Sequence, residues 1–181
     1  MYFTNWLRKS NWAAGILTII RIYLGWGFLT AGWEKLTGPK AFSALGFLQH
    51  SISSPVMSPA KVLEYPWFNA FLKGFAIPDI GLFNFLVPWG EFLIGIGLIF
   101  GTLTTAAVFF GMFMNFMYMF AGTVSSNPMD ILLGIFIIVA GYNAGKFGGD
   151  YYVIPQVRKL FAKWFSHEIT LDTGVNKHKA V

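Results

Sequence analysis

The chain has 181 residues, of which 55% are hydrophobic, 19% aromatic and only 12% charged, with a mean hydropathy of +0.57. This composition is too apolar for an ordinary soluble domain and predicts an all-α integral membrane protein. The net charge of +5 comes without a nucleic-acid-binding motif, so we expect no nucleic-acid partner and attribute the basic residues to contact with anionic lipid.

Four stretches approach the ~20 mostly apolar residues that a membrane-spanning helix needs. They are residues 12–35, 80–100, 102–122 and 129–145. The first follows Arg8 and Lys9, as a signal peptide would, but it is long, contains an arginine and lacks an obvious cleavage site, so we interpret it as retained. Short turns join the last three stretches. We therefore predict an antiparallel four-helix transmembrane bundle within residues 1–145.

The long connection between the first two spans, residues 37–79, is expected to be extracytoplasmic. Its segments 41–49 and 66–75 have apolar residues at helical spacing, and Pro66 suits a first helical turn. We expect one or two short helices at the outer membrane interface, with a poorly ordered loop as the alternative.

Basic residues are concentrated at the two ends of the chain, which by the positive-inside rule predicts cytoplasmic N- and C-termini, in a prokaryotic cell membrane. Residues 146–181 form the basic end. Within it, residues 155–166 are predicted to form an amphipathic helix that binds the anionic inner leaflet or, alternatively, a partner protein. Residues 172–181 are predicted to be a disordered tail.

The residue types available for cofactor binding are restricted. There is no cysteine, which excludes thiolate metal sites and covalent haem attachment. The histidines His50, His167 and His178 lie outside the predicted spans, so we expect neither haem nor metal. A redox role would need a diffusible cofactor or one carried by a partner.

Each predicted span has one face of small and polar residues, the kind of face that brings helices together in lipid. On the first span this face carries Arg21, Gly25, Phe28, Gly32 and Lys35, and on the second Glu91, Gly95, Leu98 and Thr102. A guanidinium near the bilayer centre costs on the order of 3 kcal/mol, so Arg21 needs a partner. Counted from the assumed inner ends of the helices, Glu91 lies at a similar depth. We therefore predict a buried Arg21–Glu91 pair, which would either serve function or only fix helix register.

Further polar residues extend from this pair toward the outer face. Asn115 lies on the third span, Asp130 opens the fourth, and Glu34 and Lys35 end the first. Asn115 by itself also fits a simple hydrogen bond to a neighbouring helix.

The motifs Arg21-x3-Gly25-x2-Phe28-x3-Gly32-x2-Lys35 and Glu91-x3-Gly95-x2-Leu98 resemble the DoxX/DoxD family of small four-helix membrane proteins. The resemblance covers about residues 12–142. It implies a quinone-linked oxidoreductase or its membrane subunit, similar to the DoxD component of thiosulfate:quinone oxidoreductase.

The resulting hypothesis is that the bundle binds an isoprenoid quinone near Arg21 and Glu91. Arg21 or Lys35 would stabilise a reduced, anionic quinone oxygen, and Glu91 would hold Arg21 or exchange a proton. Asp130 and Glu34 would connect the site to the outer face. The residues expected to line the ring pocket are Trp33, Trp89 and Tyr118.

Two alternatives remain open at this point. The first is a non-catalytic assembly or scaffolding subunit, and the second is a small transporter that uses the polar residues as a route. A second redox subunit or another copy of the chain is a possible partner in each case.

Overall fold

The computed structural model describes the backbone of residues 2–172 and the side chains of residues 2–164. This part of the chain is mostly helical, with one isolated β-bridge, Met57–Leu63, and no strand. The helices are α1 Tyr2–Lys9, α2 Asn11–Thr37, α3 Leu45–Ser53, α4 Pro66–Phe71, α5 Ile80–Phe100, α6 Thr104–Phe120, α7 Asn127–Ala140, α8 Tyr142–Gly145 and α9 Asp150–Asp172. A π-helical turn, Leu72–Ala76, continues α4. The predicted all-α class is confirmed.

Two helices, α2 and α5, are long and apolar enough to cross a membrane. Helices α6 and α7 are apolar but shorter, with 17 and 14 residues. Large hydrophobic side chains are exposed along all four helices, for example Ile19, Leu93, Phe109 and Ile135. Exposed apolar surface of this extent is typical of a protein that contacts lipid. The prediction of four spans stays a prediction.

Helices α2 and α5 run antiparallel in close contact, because glycines on both allow the backbones to approach. A methyl group added at Gly95 would clash with the backbone of Leu29, and one added at Gly32 would clash with the backbone of Phe92. One added at Gly25 would come within 2.9 Å of Leu98. These three contacts define the register of the two helices.

The turn between α5 and α6 is closed by a segment that follows α8. Gly101 ends α5 with a φ of 66°, a conformation that suits glycine. The backbone N–H groups of Gly149 and Asp150 donate to the carbonyls of Phe100 and Gly101, at 2.9 and 2.7 Å. The Asp150 carboxylate accepts from the N–H groups of Leu103 and Thr104, at 2.6 and 3.1 Å, and so caps the start of α6.

The 37–79 connection forms its own small hydrophobic core over one end of the bundle. Buried side chains of α3 and α4, including Leu48 and Phe68, pack with Ala121 beyond the end of α6. The Asn84 side chain of α5 accepts from the N–H of Ala44 at 2.8 Å, which fixes the start of α3. The two short helices lie close to the predicted segments.

The N-terminal helix α1 packs at the other end, against α2, α7 and α8. The buried Asn143 amide donates to the carbonyls of Leu7 and Ser10, at 2.7 and 2.9 Å. Helix α9 begins earlier than predicted, at Asp150, and continues through Pro155. The disorder predicted for the C-terminal tail concerns residues that, apart from Asp172, lie outside the described part of the chain.

Candidate functional site

A cavity of 460 Å³ lies where the 37–79 connection covers α5 and α6. Its walls are mostly apolar and aromatic. They are formed by Phe42, Ala44, Phe47, Leu48, Phe68, Phe71, Leu72, Phe83, Val87, Phe113 and Met117, with the polar residues Lys35, Glu91, Tyr118, Thr123, Ser125 and Asn127. We call this space the apolar cavity. Its volume falls within the ~300–1,000 Å³ that is usual for ligand pockets.

Three polar side chains in the wall of the apolar cavity form one hydrogen-bonded group. The Lys35 ammonium donates to Glu91 Oε2 at 2.6 Å, and the Tyr118 hydroxyl donates to Glu91 Oε1 at 2.7 Å. Lys35 Nζ also donates to the carbonyl of Ala31 at 3.3 Å and lies 5.9 Å from the Phe42 ring centroid. The Glu91 side chain is 4% exposed, so this carboxylate is buried with both oxygens satisfied.

A second, smaller cavity of 200 Å³ lies on the other side of Glu91 and Tyr118. It is bounded by α2, α5, α6 and the start of α7, and several polar residues line it. Its lining residues are Tyr23, Leu24, Gly27, Phe28, Ala31, Glu91, Asn115, Tyr118, Ser126, Asn127 and Asp130. We call this space the polar cavity. Glu91, Tyr118 and Asn127 line both cavities.

The structure contradicts the predicted Arg21–Glu91 pair, because Glu91 is bonded to Lys35 and Tyr118 instead. The register explains the error. Gly32, one turn before Lys35, is opposite Phe92, whereas Arg21 lies 14 residues before Lys35, or about 21 Å along the helix. The sequence estimate placed the assumed inner ends of the two helices at the same depth, but Arg21 packs beside Gly101, where α5 ends, whereas α2 begins ten residues before Arg21, at Asn11.

Arg21 lies instead at the α5–α6 turn. It is 1% exposed, and its guanidinium packs against Gly101 and Gly148. Within the described residues its Nε and Nη1 atoms have no hydrogen-bond partner, and Asp150 is the acidic group that attracts it electrostatically. Arg21 therefore belongs to the group that closes the end of the bundle opposite the 37–79 connection and does not line either cavity.

Three residues expected at the site lie on the outside of the bundle. Trp33 and Glu34 line a shallow groove between α2 and α5, and neither borders the apolar cavity. Trp33 and Trp89 are 55% and 42% exposed, and each ring contacts Phe92. Of the predicted ring-pocket residues, only Tyr118 lines a cavity beside Glu91. Helix rotation accounts for the difference, since Trp33 is two residues from Lys35 and so points to another face.

The sequence reasoning missed the residues that the connection contributes to the apolar cavity, such as Phe42, Phe47 and Phe71. Their helical spacing was visible, but which of them face inward depends on how the connection folds back. It also missed Asn127, which follows the α6–α7 turn, and Asp150. A lone aspartate after two glycines gave no sequence signal for its role.

The DoxX family model matches residues 16–123, which extend from α2 to just beyond α6 and include Lys35, Glu91, Asn115 and Tyr118. No curated protein and no solved structure matches the chain. Because the match covers more than half of the chain and two helices are suited to cross a membrane, the chain is a membrane protein that belongs to the DoxX family.

Proposed function

We propose that this protein binds an isoprenoid quinone in the apolar cavity, as a membrane enzyme or subunit of quinone-linked oxidoreduction. The observation that carries the proposal is the combination of aromatic walls with one hydrogen-bonded polar group, Lys35, Glu91 and Tyr118. A likeness to the DoxD component of thiosulfate:quinone oxidoreductase is part of the same proposal.

The walls fit the chemistry of such a ligand. A quinone head is a flat ring with carbonyl acceptors, and its isoprenoid tail is apolar. The rings of Phe47, Phe71 and Phe83 offer faces and edges for stacking, which adds ~0.5–1.5 kcal/mol per aromatic pair beyond burial. Ligand sites of this kind commonly combine apolar walls with a few convergent polar groups.

The residues of the polar group, Lys35, Glu91 and Tyr118, can bind the quinone head and exchange protons with it. The Lys35 ammonium is 27% exposed and can donate to a ring carbonyl while Glu91 holds its position. A positive charge fixed at this point stabilises negative charge that develops on a quinone oxygen. A quinone supplies two-electron, two-proton chemistry when bound, and Glu91 and Tyr118 are the chain's groups at the cavity wall that can exchange protons.

The test is to extract lipids from purified protein and measure the quinone content per chain. Val87→Trp places an indole in the apolar cavity, whereas Leu86→Trp places the same group on the exposed face of α5. We expect Val87→Trp to reduce bound quinone at least about tenfold, corresponding to ~1.4 kcal/mol, and Leu86→Trp to leave it unchanged. Lys35→Gln should lower quinone affinity in the same way.

Equal quinone content in folded Val87→Trp and Leu86→Trp proteins would show that the apolar cavity is not the binding site. Protein without quinone that reproducibly co-purifies with another polypeptide would favour an assembly subunit instead.

A further inference from the structure

The polar cavity has a different composition from the apolar cavity beside it. Its walls include the carboxylates of Glu91 and Asp130, the amides of Asn115 and Asn127 and the hydroxyls of Tyr23, Tyr118 and Ser126. Its 200 Å³ would hold about six waters at ~30 Å³ each, and polar walls are what buried waters need. An isoprenoid chain would leave these groups without partners.

Asn115 shows that something polar belongs in this space. The residue is 4% exposed, and no hydrogen bond joins its side chain to another described residue. Among the described residues its amide is not one of the enclosed groups without a partner, so its polar atoms remain accessible from the polar cavity, where water can hydrogen-bond to them. The Asn127 amide nitrogen, by contrast, donates to the Thr123 carbonyl at 2.9 Å.

The distribution of charge in the polar cavity favours cations. Lys35 neutralises Glu91 from the side of the apolar cavity and does not line the polar one. Asp130 is bonded only to the Ser126 hydroxyl, at 2.9 Å, within the part of the chain that the structure describes. No salt bridge joins Asp130 to a described cation, and its carboxylate in the first turn of α7 lies near the exposed α6–α7 turn, where it attracts cations and repels anions.

We propose that the polar cavity is a water-filled, cation-selective inlet that carries protons between the α6–α7 turn and Glu91. Asp130 gathers protons at the entrance, waters bonded to Asn115 relay them, and Glu91 or Tyr118 passes them to the wall of the apolar cavity. The role of the inlet, which is to supply protons to a bound quinone, rests on the proposed function. The hydration and charge selectivity of the inlet do not depend on quinone.

The absence of cysteine in the chain allows a clean accessibility test. Asn115→Cys and Ala31→Cys place a thiol on opposite walls of the polar cavity, and Val108→Cys places one in the packed core of the same helix as Asn115. Each purified variant is treated with a methanethiosulfonate that carries either an ammonium or a sulfonate group. We expect both cavity thiols to react at least about tenfold faster with the ammonium reagent, and Val108→Cys to react with neither.

Adding Asp130→Asn to Asn115→Cys should remove most of the preference for the ammonium reagent while the thiol stays reactive. The inference is overturned if folded Asn115→Cys and Ala31→Cys react no faster than Val108→Cys, because the cavity would then be dry. It is also overturned if the two reagents react at equal rates, since the inlet would then not select cations.

A parallel measurement separates this inference from the proposed function. Met117→Cys lies in the wall of the apolar cavity, and its reaction with N-ethylmaleimide should slow when a fully ring-substituted decyl benzoquinone is added. Asn115→Cys should keep its rate. Lack of protection at Met117→Cys would count against the quinone site. The inlet is tested separately, by the preference for the ammonium reagent at Asn115→Cys and Ala31→Cys.

Discussion

At the scale of single residues, the most informative positions are the charged groups that the fold buries. Glu91 has two hydrogen-bond partners, one of them the Lys35 cation, so its burial is compensated at the cavity wall. Arg21 and Asp150 are buried at the α5–α6 turn, where Gly101 lies ten residues, or about 15 Å, beyond Glu91. Two separate charged groups therefore replace the single pair that the sequence suggested.

Asp150 is predicted to be a main determinant of stability at the α5–α6 turn. Asp150→Ala removes the cap from Leu103 and Thr104 and leaves Arg21 without its nearby negative charge. We expect a loss of about 3 kcal/mol in the free energy of unfolding, measured by denaturant titration in mixed micelles.

The matched control is Asp79→Ala, because Asp79 stands at the start of α5 but its side chain makes no capping hydrogen bond. It should change stability by a few tenths of a kcal/mol. Similar losses for the two variants would mean that the Asp150 contacts contribute little.

At the scale of elements, the contact between α2 and α5 sets the geometry of both cavities. It brings Lys35 of α2 beside Glu91 of α5, and it depends on glycines that allow the two backbones to approach. The short helices of the 37–79 connection then close one side of the apolar cavity.

Gly95→Ala is predicted to push these helices apart, because the added methyl group would clash with the backbone of Leu29. We expect a loss of about 2 kcal/mol from overpacking, together with weaker quinone retention. Gly81→Ala in the same helix meets open space and should be neutral or slightly stabilising. Thermal unfolding in detergent measures the stability of both variants. Unchanged stability in Gly95→Ala would contradict the close approach of the two helices.

At the scale of the whole molecule, the lengths of the helices bear on how the chain crosses the membrane. Helices α6 and α7 would measure about 26 and 21 Å, less than the ~30 Å of a typical hydrocarbon core. Adjacent turns and α8 lengthen the apolar region, and local thinning of the bilayer can accommodate the difference.

Single-cysteine variants test the predicted topology in spheroplasts with a membrane-impermeant maleimide. We expect labelling at Lys40→Cys and Val124→Cys from outside, and labelling at Thr105→Cys and Tyr151→Cys only after permeabilisation. All four positions are exposed in the structure. Labelling of Val124→Cys and Thr105→Cys from the same side would mean that α6 does not cross.

The all-helical class, the two long apolar helices and the small-residue faces were predictable from sequence, because composition and helical periodicity are local properties. Of the candidate residues, Lys35, Glu91, Asn115, Tyr118 and Asp130 do line the two cavities. Their types and spacing alone marked them as polar groups on the inner faces of helices.

Only the tertiary structure decided which of these residues meet. The partner of Glu91 depends on the axial offset between α2 and α5, and that offset is set by backbone contacts at Gly25, Gly32 and Gly95. Helix length and apolar pattern do not encode this offset, so equal depths had to be assumed. The sequence by itself determined that charges are buried in a helical membrane protein, and packing decided that Lys35 pairs with Glu91 while Arg21 closes the opposite end.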